Sequence, residues 1–304
     1  MKALITGAGG FVGPHLTQHL SEAGDDVIGL DLSSGPDLLD ADGWVDAVRL
    51  HEPDVIYHLA GWSDVSGSWR DPLRTFQINA LGTQSVLEAA VASKTEKVVL
   101  ISSADVYGTV PADEQPITED RPAQPRSPYG VSKQAAEALG QQYHRGFDLD
   151  VVIVRPFTHL GVGQSPQFAA AAFAAQVAEA ELAGGGRVDH GNLSARRDLT
   201  DVRDVVRAYR LLATDGEAGE VYNVCSGQAV SIESVLATLV AASTVTVETQ
   251  PDEARMRPVD LPVLQGSNDK LRRATGWEPV VALADTLTDV LDDARRRTSA
   301  QPAV

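Results

Sequence analysis

The opening sixteen residues constrain the fold more than any other stretch of the chain. A short apolar run, Lys2-Ala3-Leu4-Ile5-Thr6, meets glycines at 7, 10 and 13, and a helical pattern then continues through Pro14-His15-Leu16. Gly7 permits a sharp turn, Gly10 lets the backbone approach a diphosphate, and Gly13 lets the helix pack closely on the strand. The start of that helix presents free N–H groups and the positive end of its dipole, which together suit an anion. A second apolar run, Val27-Ile28-Gly29-Leu30, ends on Asp31. A carboxylate there would accept from the ribose hydroxyls of an adenosine and repel a 2′-phosphate, so NAD(H) is expected in preference to NADP(H).

The rest of the first half repeats this alternation. Strands are expected at Ala3–Thr6, Val27–Asp31, Val55–Leu59, Val98–Ser102 and Val151–Arg155, with helical patterns at Phe11–Ala23, Gly43–Leu50, Pro72–Ala92 and Pro128–Arg145. Alternating strands and helices at this spacing specify an α/β fold with a doubly wound parallel sheet. The carboxyl ends of its strands carry Gly7, Asp31, Ala60, Ser103 and Pro156, the edge at which such sheets bind ligands. After Pro156 the texture changes to an alanine-rich helix, Phe168–Ala183, stopped by Gly184-Gly185-Gly186. A helix at Asp204–Ala213 and a strand at Glu220–Cys225 are expected to return to the first lobe. A helix at Ser231–Ala241, a strand at Thr244–Glu248 and helices at Asp269–Thr275 and Ala284–Arg297 complete a smaller mixed α/β lobe. The expected division is residues 1–165 as a dinucleotide-binding domain, rejoined by 200–225, and 166–199 with 226–304 as a substrate lobe.

Composition narrows the class. A formal net charge of -17 argues against nucleic acid or an anionic membrane as the main partner. Cys225 is the only cysteine, so no internal disulfide can form and a reducing compartment fits. No apolar segment approaches the roughly 20 residues of a membrane span, and the chain enters its first strand without a signal-peptide pattern. A cytoplasmic protein with no metal site is expected.

Ser127-Pro128-Tyr129-Gly130-Val131-Ser132-Lys133 carries the chemistry. Tyr129 and Lys133 stand four apart, so on a helix they share one face about one turn apart. An ammonium beside a phenol favours the phenolate and is expected to lower the tyrosine pKa. Upstream, the apolar run from Lys97 to Ile101 closes on Ser102-Ser103, where a hydroxyl can donate to a substrate oxygen. Phenol, ammonium and hydroxyl together make a proton-transfer device for a carbonyl/alcohol pair.

With these motifs placed, the chain resembles the extended branch of the short-chain dehydrogenase/reductases, the group that works on nucleotide sugars, across essentially all 304 residues. The resemblance implies a Rossmann-type sheet with a smaller substrate lobe. Its second half narrows the likeness to the GDP-4-keto-6-deoxy-mannose reductases. The segments that carry it are Arg155–Phe168 (beginning Arg155-Pro156-Phe157-Thr158-His159), Gly191–Asp204, Tyr222–Gly227 and Arg255–Pro262.

By position, the resemblance makes Ser103, Tyr129 and Lys133 the catalytic triad. It places Gly7, Gly10, Phe11, Val12, Gly13, Asp31, Asp37, Leu38, Leu59, Ala60 and Lys133 around the dinucleotide, with Asn79 behind the nicotinamide. Asn79 reads equally well as a helix-interior amide tied to backbone. Arg197 and Arg257 match positions that hold the substrate diphosphate, and an arginine fork suits phosphate oxygens. Thr158 and His159 fall in the substrate loop, and Asp105 at an acid position beside the triad. A homodimer built on the Pro72–Ala92 and Pro128–Arg145 helices is also implied.

The triad alone leaves three reactions open, because a 4-ketoreductase, a 4-epimerase and a 4,6-dehydratase share one opening step or its reverse. The nucleotide-sugar dehydratases carry Glu where this chain has Asp105, one methylene shorter, which disfavours elimination. The expected activity is therefore NAD(P)H-dependent reduction of the 4-keto group of a GDP-linked 4-keto-6-deoxy-hexose, giving GDP-rhamnose. A non-enzymatic dinucleotide-binding protein would be expected to lose Tyr129 or Lys133, and both are present. Two positions depart from the family pattern: Thr158 stands where Asn is usual and Val162 where Pro is usual. Thr158 keeps a hydroxyl but loses the paired donor and acceptor of an amide.

Overall fold

The computed structural model describes residues 1–255 and 262–300. Arg257, expected at the substrate diphosphate, lies outside the described residues. The first half alternates β1 (Lys2–Thr6), α1 (Val12–Glu22), β2 (Asp26–Leu30), α2 (Ala41–His51) and β3 (Val55–His58). It continues through α3 (Val65–Ser68), α4 (Pro72–Phe76), α5 (Gly82–Ser93), β4 (Lys97–Ile101), α6 (Pro128–Phe147) and β5 (Asp150–Pro156). The second half runs β6 (Thr158–Leu160), α7 (Ala169–Ala183), β7 (Gly186–His190), β8 (Arg196–Asp201), α8 (Val202–Asp215) and β9 (Val221–Val224). It ends with β10 (Ala229–Ser231), α9 (Ile232–Ala241), β11 (Val247–Pro251), β12 (Val263–Leu264), α10 (Asp269–Thr275) and α11 (Leu283–Ala300).

The central sheet has the order β2-β1-β3-β4-β5-β9, and every pairing in it is parallel. Chain order reverses between β1 and β3, which opens a crevice at the carboxyl edge. On one face α1 and α8 pack Leu16, Leu20, Val205 and Leu212 over Ile5, Val99 and Val154. On the other, α2, α5 and α6 pack Trp44, Val86, Leu87 and Tyr143 over Leu4, Val98 and Ile153. Burying each such aliphatic side chain contributes roughly 1.5–3 kcal/mol. Strand β8 centres a second sheet, paired with β10, β12 and β6, while α7, α9 and α11 share a separate core. Among the described residues no helix is long and apolar enough to cross a membrane.

Two expectations need correction here. The Pro72–Ala92 segment is not one regular helix: a π-helical turn, Gln77–Leu81, separates α4 from α5. The hydroxyl of Thr83 donates to the Asn79 carbonyl (2.6 Å), competing with the regular backbone ladder at this point. The strand expected at Thr244–Glu248 lies further along, at Val247–Pro251. Thr244 is drawn out of it because its N–H and hydroxyl both donate to the Glu181 carboxylate (2.8 and 3.2 Å).

Candidate active site

The glycine loop begins where β1 ends. Gly7 turns with φ +73°, and a Cβ there would lie 2.8 Å from the Ala60 backbone. The Gly10 N–H closes the turn onto the Gly7 carbonyl at 3.0 Å. A Cβ on Gly13 would sit 2.2 Å from the Ala8 carbonyl oxygen, so strand and helix touch as the spacing predicts. No side chain caps the start of α1, which leaves its leading N–H groups to a phosphate oxygen. These residues fit the diphosphate of a dinucleotide.

Asp31 leaves β2 at the same edge. Its Oδ1 accepts from the Ser33 N–H (2.8 Å), the Ser33 hydroxyl (2.6 Å) and the Ser34 hydroxyl (3.2 Å). These bonds, the Ser33 hydroxyl foremost, hold its carboxyl below the ordinary range. The Oδ2 lies over the glycine loop, 2.3 Å from where a Cβ on Gly9 would be. A side chain at position 9 would have to displace the Asp31 carboxylate from over the loop, a contact its place in the sequence does not announce.

The triad assembles from two elements. Ser103 follows β4 and caps a short helical turn, accepting from the Asp105 N–H at 3.1 Å. Helix α6 starts at Pro128 behind the capping hydroxyl of Ser127, which accepts from the Gly130 N–H at 3.0 Å. This start places Tyr129 in the first turn and Lys133 one turn on, both buried. Lys133 Nζ donates to the Ile101 carbonyl at 2.8 Å, and burial lowers its pKa to about 8 against the opposing pull of Glu137.

Tyr129 departs from expectation. Its phenol is pushed up rather than down: burial is the largest cause, the Asp105 charge acts the same way, and a hydrogen bond with Ser103 opposes them. Removing the phenol from water disfavours the phenolate more than its polar neighbours favour it. Near neutral pH the site therefore holds a phenol and an ammonium.

A buried polar layer supports these groups from behind. Asn79 lies in the π-helical turn, where its Oδ1 accepts from the Trp62 N–H (2.7 Å) and its Nδ2 donates to the Trp62 carbonyl (3.1 Å) and Ser132 Oγ (2.8 Å). A Cβ on Gly61 would meet both Asn79 Oδ1 (2.8 Å) and Lys133 Nζ (3.6 Å), so amide and ammonium both approach this glycine. Beneath it the Ala60 N–H donates to Thr6 Oγ1 (3.1 Å), and Thr6 in turn meets His58 Nδ1 (2.8 Å). The Thr83 hydroxyl donates to Asn79, which leaves it to accept from His58 Nε2 (3.0 Å). This order of donors requires a neutral His58 protonated on Nε2, and burial brings its pKa down to about 3. One turn beyond Lys133, Glu137 takes a two-pronged contact from Arg155 (2.8 and 2.7 Å) and the Ser102 hydroxyl (2.5 Å).

A single cavity of about 1470 Å³ joins the parts. It runs from Asp31, Asp37 and Leu38 over Gly7, Gly10, Phe11, Val12 and Gly13, past Leu59 and Ala60, to Ser103, Asp105, Tyr129 and Lys133. Thr158, His159 and Arg197 also line it. Among the expected site residues that the structure describes, Asn79 alone does not line the cavity. Thr158 opens β6 with its side chain exposed. The His159 ring stacks on Phe11 (centroids 5.9 Å apart, planes at 10°) and contacts the Phe157 carbonyl through Nδ1 at 3.0 Å, while burial lowers its pKa. Arg197 Nη1 donates to the Arg196 carbonyl at 2.9 Å. The neighbouring Asp198 is bolted down by Ser226, Gly227 and Gly266, with N–H donors at 2.7, 3.0 and 3.2 Å. Sequence reasoning passed over Trp62, Arg126, Gln167, Phe168 and Asn192, which also line the cavity. Arg126 stands just before the Ser127–Lys133 motif, and Gln167, Phe168 and Asn192 lie within the segments that carry the family resemblance, so only Trp62 had no sequence signal.

A doubly wound sheet with a glycine loop at its switch point, and a Ser–Tyr–Lys cluster in the same cavity, defines an NAD(P)-dependent short-chain dehydrogenase/reductase of the extended kind. The chain belongs to the GDP-mannose 4,6 dehydratase family, whose pattern it matches over residues 32–290. It is 40% identical over 294 residues to GDP-6-deoxy-D-mannose reductase of Pseudomonas aeruginosa, covering 96% of each chain. It is 34% identical to UDP-glucose 4-epimerase of Mycolicibacterium smegmatis, over 98% of this chain and 100% of that one. The solved structure of RMD from Pseudomonas aeruginosa complexed with NADPH superposes with a TM-score of 0.91 at 38% identity, covering 98% of this chain and 100% of the other. A Thermus thermophilus UDP-glucose 4-epimerase complexed with NAD gives 0.86 at 30% identity, covering 97% and 99%.

Proposed function

We propose that the protein reduces the 4-keto group of GDP-4-keto-6-deoxy-mannose to the alcohol of GDP-rhamnose. The observation that carries this reading is the end-to-end similarity to a reductase, 40% identity over 96% of both chains, since the triad by itself serves several reactions. When bound, NAD(P)H supplies the hydride that reaches C4. Tyr129, held as a phenol by burial, gives its proton to the developing alkoxide, so that C=O becomes CH–OH. Ser103 donates to the same oxygen, and the Lys133 ammonium stabilises the phenolate left behind. Asp105 stands near the phenol and helps keep it protonated, and its side chain is one methylene shorter than the Glu of a dehydratase, which disfavours elimination. Arg197 and Arg257 hold the substrate diphosphate.

The exposed Asp31 carboxylate supports NADH as the preferred dinucleotide, because its charge opposes a 2′-phosphate. One assay tests both statements. GDP-4-keto-6-deoxy-mannose is supplied with NADH or with NADPH, dinucleotide oxidation is followed, and the product is identified by NMR. The expected result is stoichiometric oxidation, a reduced C4 and a higher kcat/KM with NADH. Interconversion of C4 epimers without net oxidation would establish the epimerase reading that the 34% identical relative favours. A higher kcat/KM with NADPH would overturn the role given to Asp31.

A further inference from the structure

Two charged side chains lie buried behind the triad. Glu137 on α6 and Arg155 on β5 form an ion pair whose side chains are 6% and 8% exposed. Such a pair gains little stability over apolar residues of the same volume, because desolvating two charges offsets most of their attraction. Its position supplies another use. Lys133 and Glu137 stand one turn apart on the buried face of α6 and bind consecutive residues at the end of β4. Lys133 Nζ donates to the Ile101 carbonyl (2.8 Å), and the Ser102 hydroxyl donates to Glu137 Oε1 (2.5 Å). The next residue is Ser103. Arg155 holds the other side: its guanidinium lies 4.7 Å from the centre of the Tyr107 ring, at the end of the turn Ala104–Tyr107 that carries Asp105. The Tyr107 hydroxyl donates in turn to Asn223 Oδ1 (2.7 Å). One ion pair therefore holds the stretch from Ser103 to Val106 at both ends.

We propose that Glu137 is a positioning residue for the reduction: by accepting from Ser102 and Arg155 it fixes Ser103 and Asp105 against Tyr129, and it sets a negative charge behind the Lys133 ammonium. Glu137 does not line the cavity, so it acts through these neighbours. Of the titratable groups around Lys133, Tyr129 on α6 and His58 from β3 stay neutral, and Asp105 acts on the phenol. Glu137 is the charge that opposes the desolvation of Lys133. The proposal rests on the ketoreductase reading of the site.

Glu137→Gln keeps the shape and removes the charge. At neutral pH kcat is expected to fall roughly 10- to 100-fold, the scale of a misaligned reacting group, with KM for the nucleotide sugar and Kd for GDP within about twofold of the wild type. The alkaline limb of kcat, set in the wild type by Lys133 at about 8, is expected at lower pH, because an ammonium without its counter-charge gives up its proton more readily. A limb that stays in place, or an unchanged kcat, overturns the proposal. So does a joint loss of kcat and GDP binding, which marks Glu137 as structural. If Glu137→Gln does not fold, Ser102→Ala decides, since it cuts the tie to β4 and leaves the ion pair. A fall in kcat at unchanged GDP affinity then supports the proposal, and wild-type kcat overturns it. Wild-type protein that turned over no keto sugar would instead overturn the ketoreductase reading. The pH dependence of NADH affinity, which needs no reaction, would still compare the two limbs.

Discussion

At the scale of single residues, the site works through burial as much as through partners. Lys133 has the sign of a buried base: its folded pKa, about 8, lies below the roughly 10.4 of an unfolded lysine. Between those values the unfolded chain binds more protons than the folded one, so the stability contributed by this group rises with pH across that window. Below it the buried ammonium donates to the Ile101 carbonyl. Tyr129 is displaced in the opposite sense and stays protonated, which suits the reductive direction. Tyr129→Phe removes the proton donor while leaving the ring packed. Turnover should fall about 100-fold or more, and the Kd for NADH should stay where it was. Near-wild-type kcat in the variant would remove Tyr129 from the chemistry.

At the scale of elements, α6 shows how one helix holds chemistry and architecture together. Tyr129, Lys133, Ala136, Glu137, Gly140 and Tyr143 are buried on it, a stripe at helical spacing that includes two charged residues. A Cβ on Gly140 would lie 2.8 Å from Leu100, so the helix presses directly on β4, whose end carries Ser103. The neighbouring run from α4 through the π-helical turn to α5 presents Leu73, Phe76 and Leu81 to solvent, and α6 presents Val131, at 68%, 38%, 46% and 46% exposure. Large apolar side chains gathered on adjoining helices support a contact between two copies of the chain. The wild type is expected to sediment as a dimer and Phe76→Asp as a monomer at the same concentration. A monomeric wild type at micromolar concentration would sink this reading.

At the scale of the whole molecule, a net charge of -17 sets a problem for an anionic substrate. Arg197 on β8 lines the cavity, next to the firmly held Asp198, and is the arginine expected to meet the substrate diphosphate there. Each charge-assisted contact to phosphate is worth about 1.5–3 kcal/mol, or roughly 10- to 150-fold in affinity. Arg197→Ala should therefore raise KM for the nucleotide sugar on that scale and lower kcat much less, because the diphosphate is held alike in ground and transition states. Separate titrations of GDP and NADH provide the check: GDP binding weakens and NADH binding does not. Equal weakening of both would mark Arg197 as structural.

The sequence by itself determined what depends on local geometry. The turn at Gly7, the close packing at Gly13, the parallel alternation and the one-turn offset of Tyr129 and Lys133 follow from backbone sterics and helical period, which act over a few residues. Tertiary structure alone decided the properties that depend on distant partners. The Thr6–His58–Thr83 relay and the Glu137–Arg155 pair join residues that no local pattern relates. The direction of the Tyr129 shift belongs with them. Spacing shows that an ammonium stands nearby, but the extent of desolvation is set by every element packed around the phenol, and here desolvation is the larger effect.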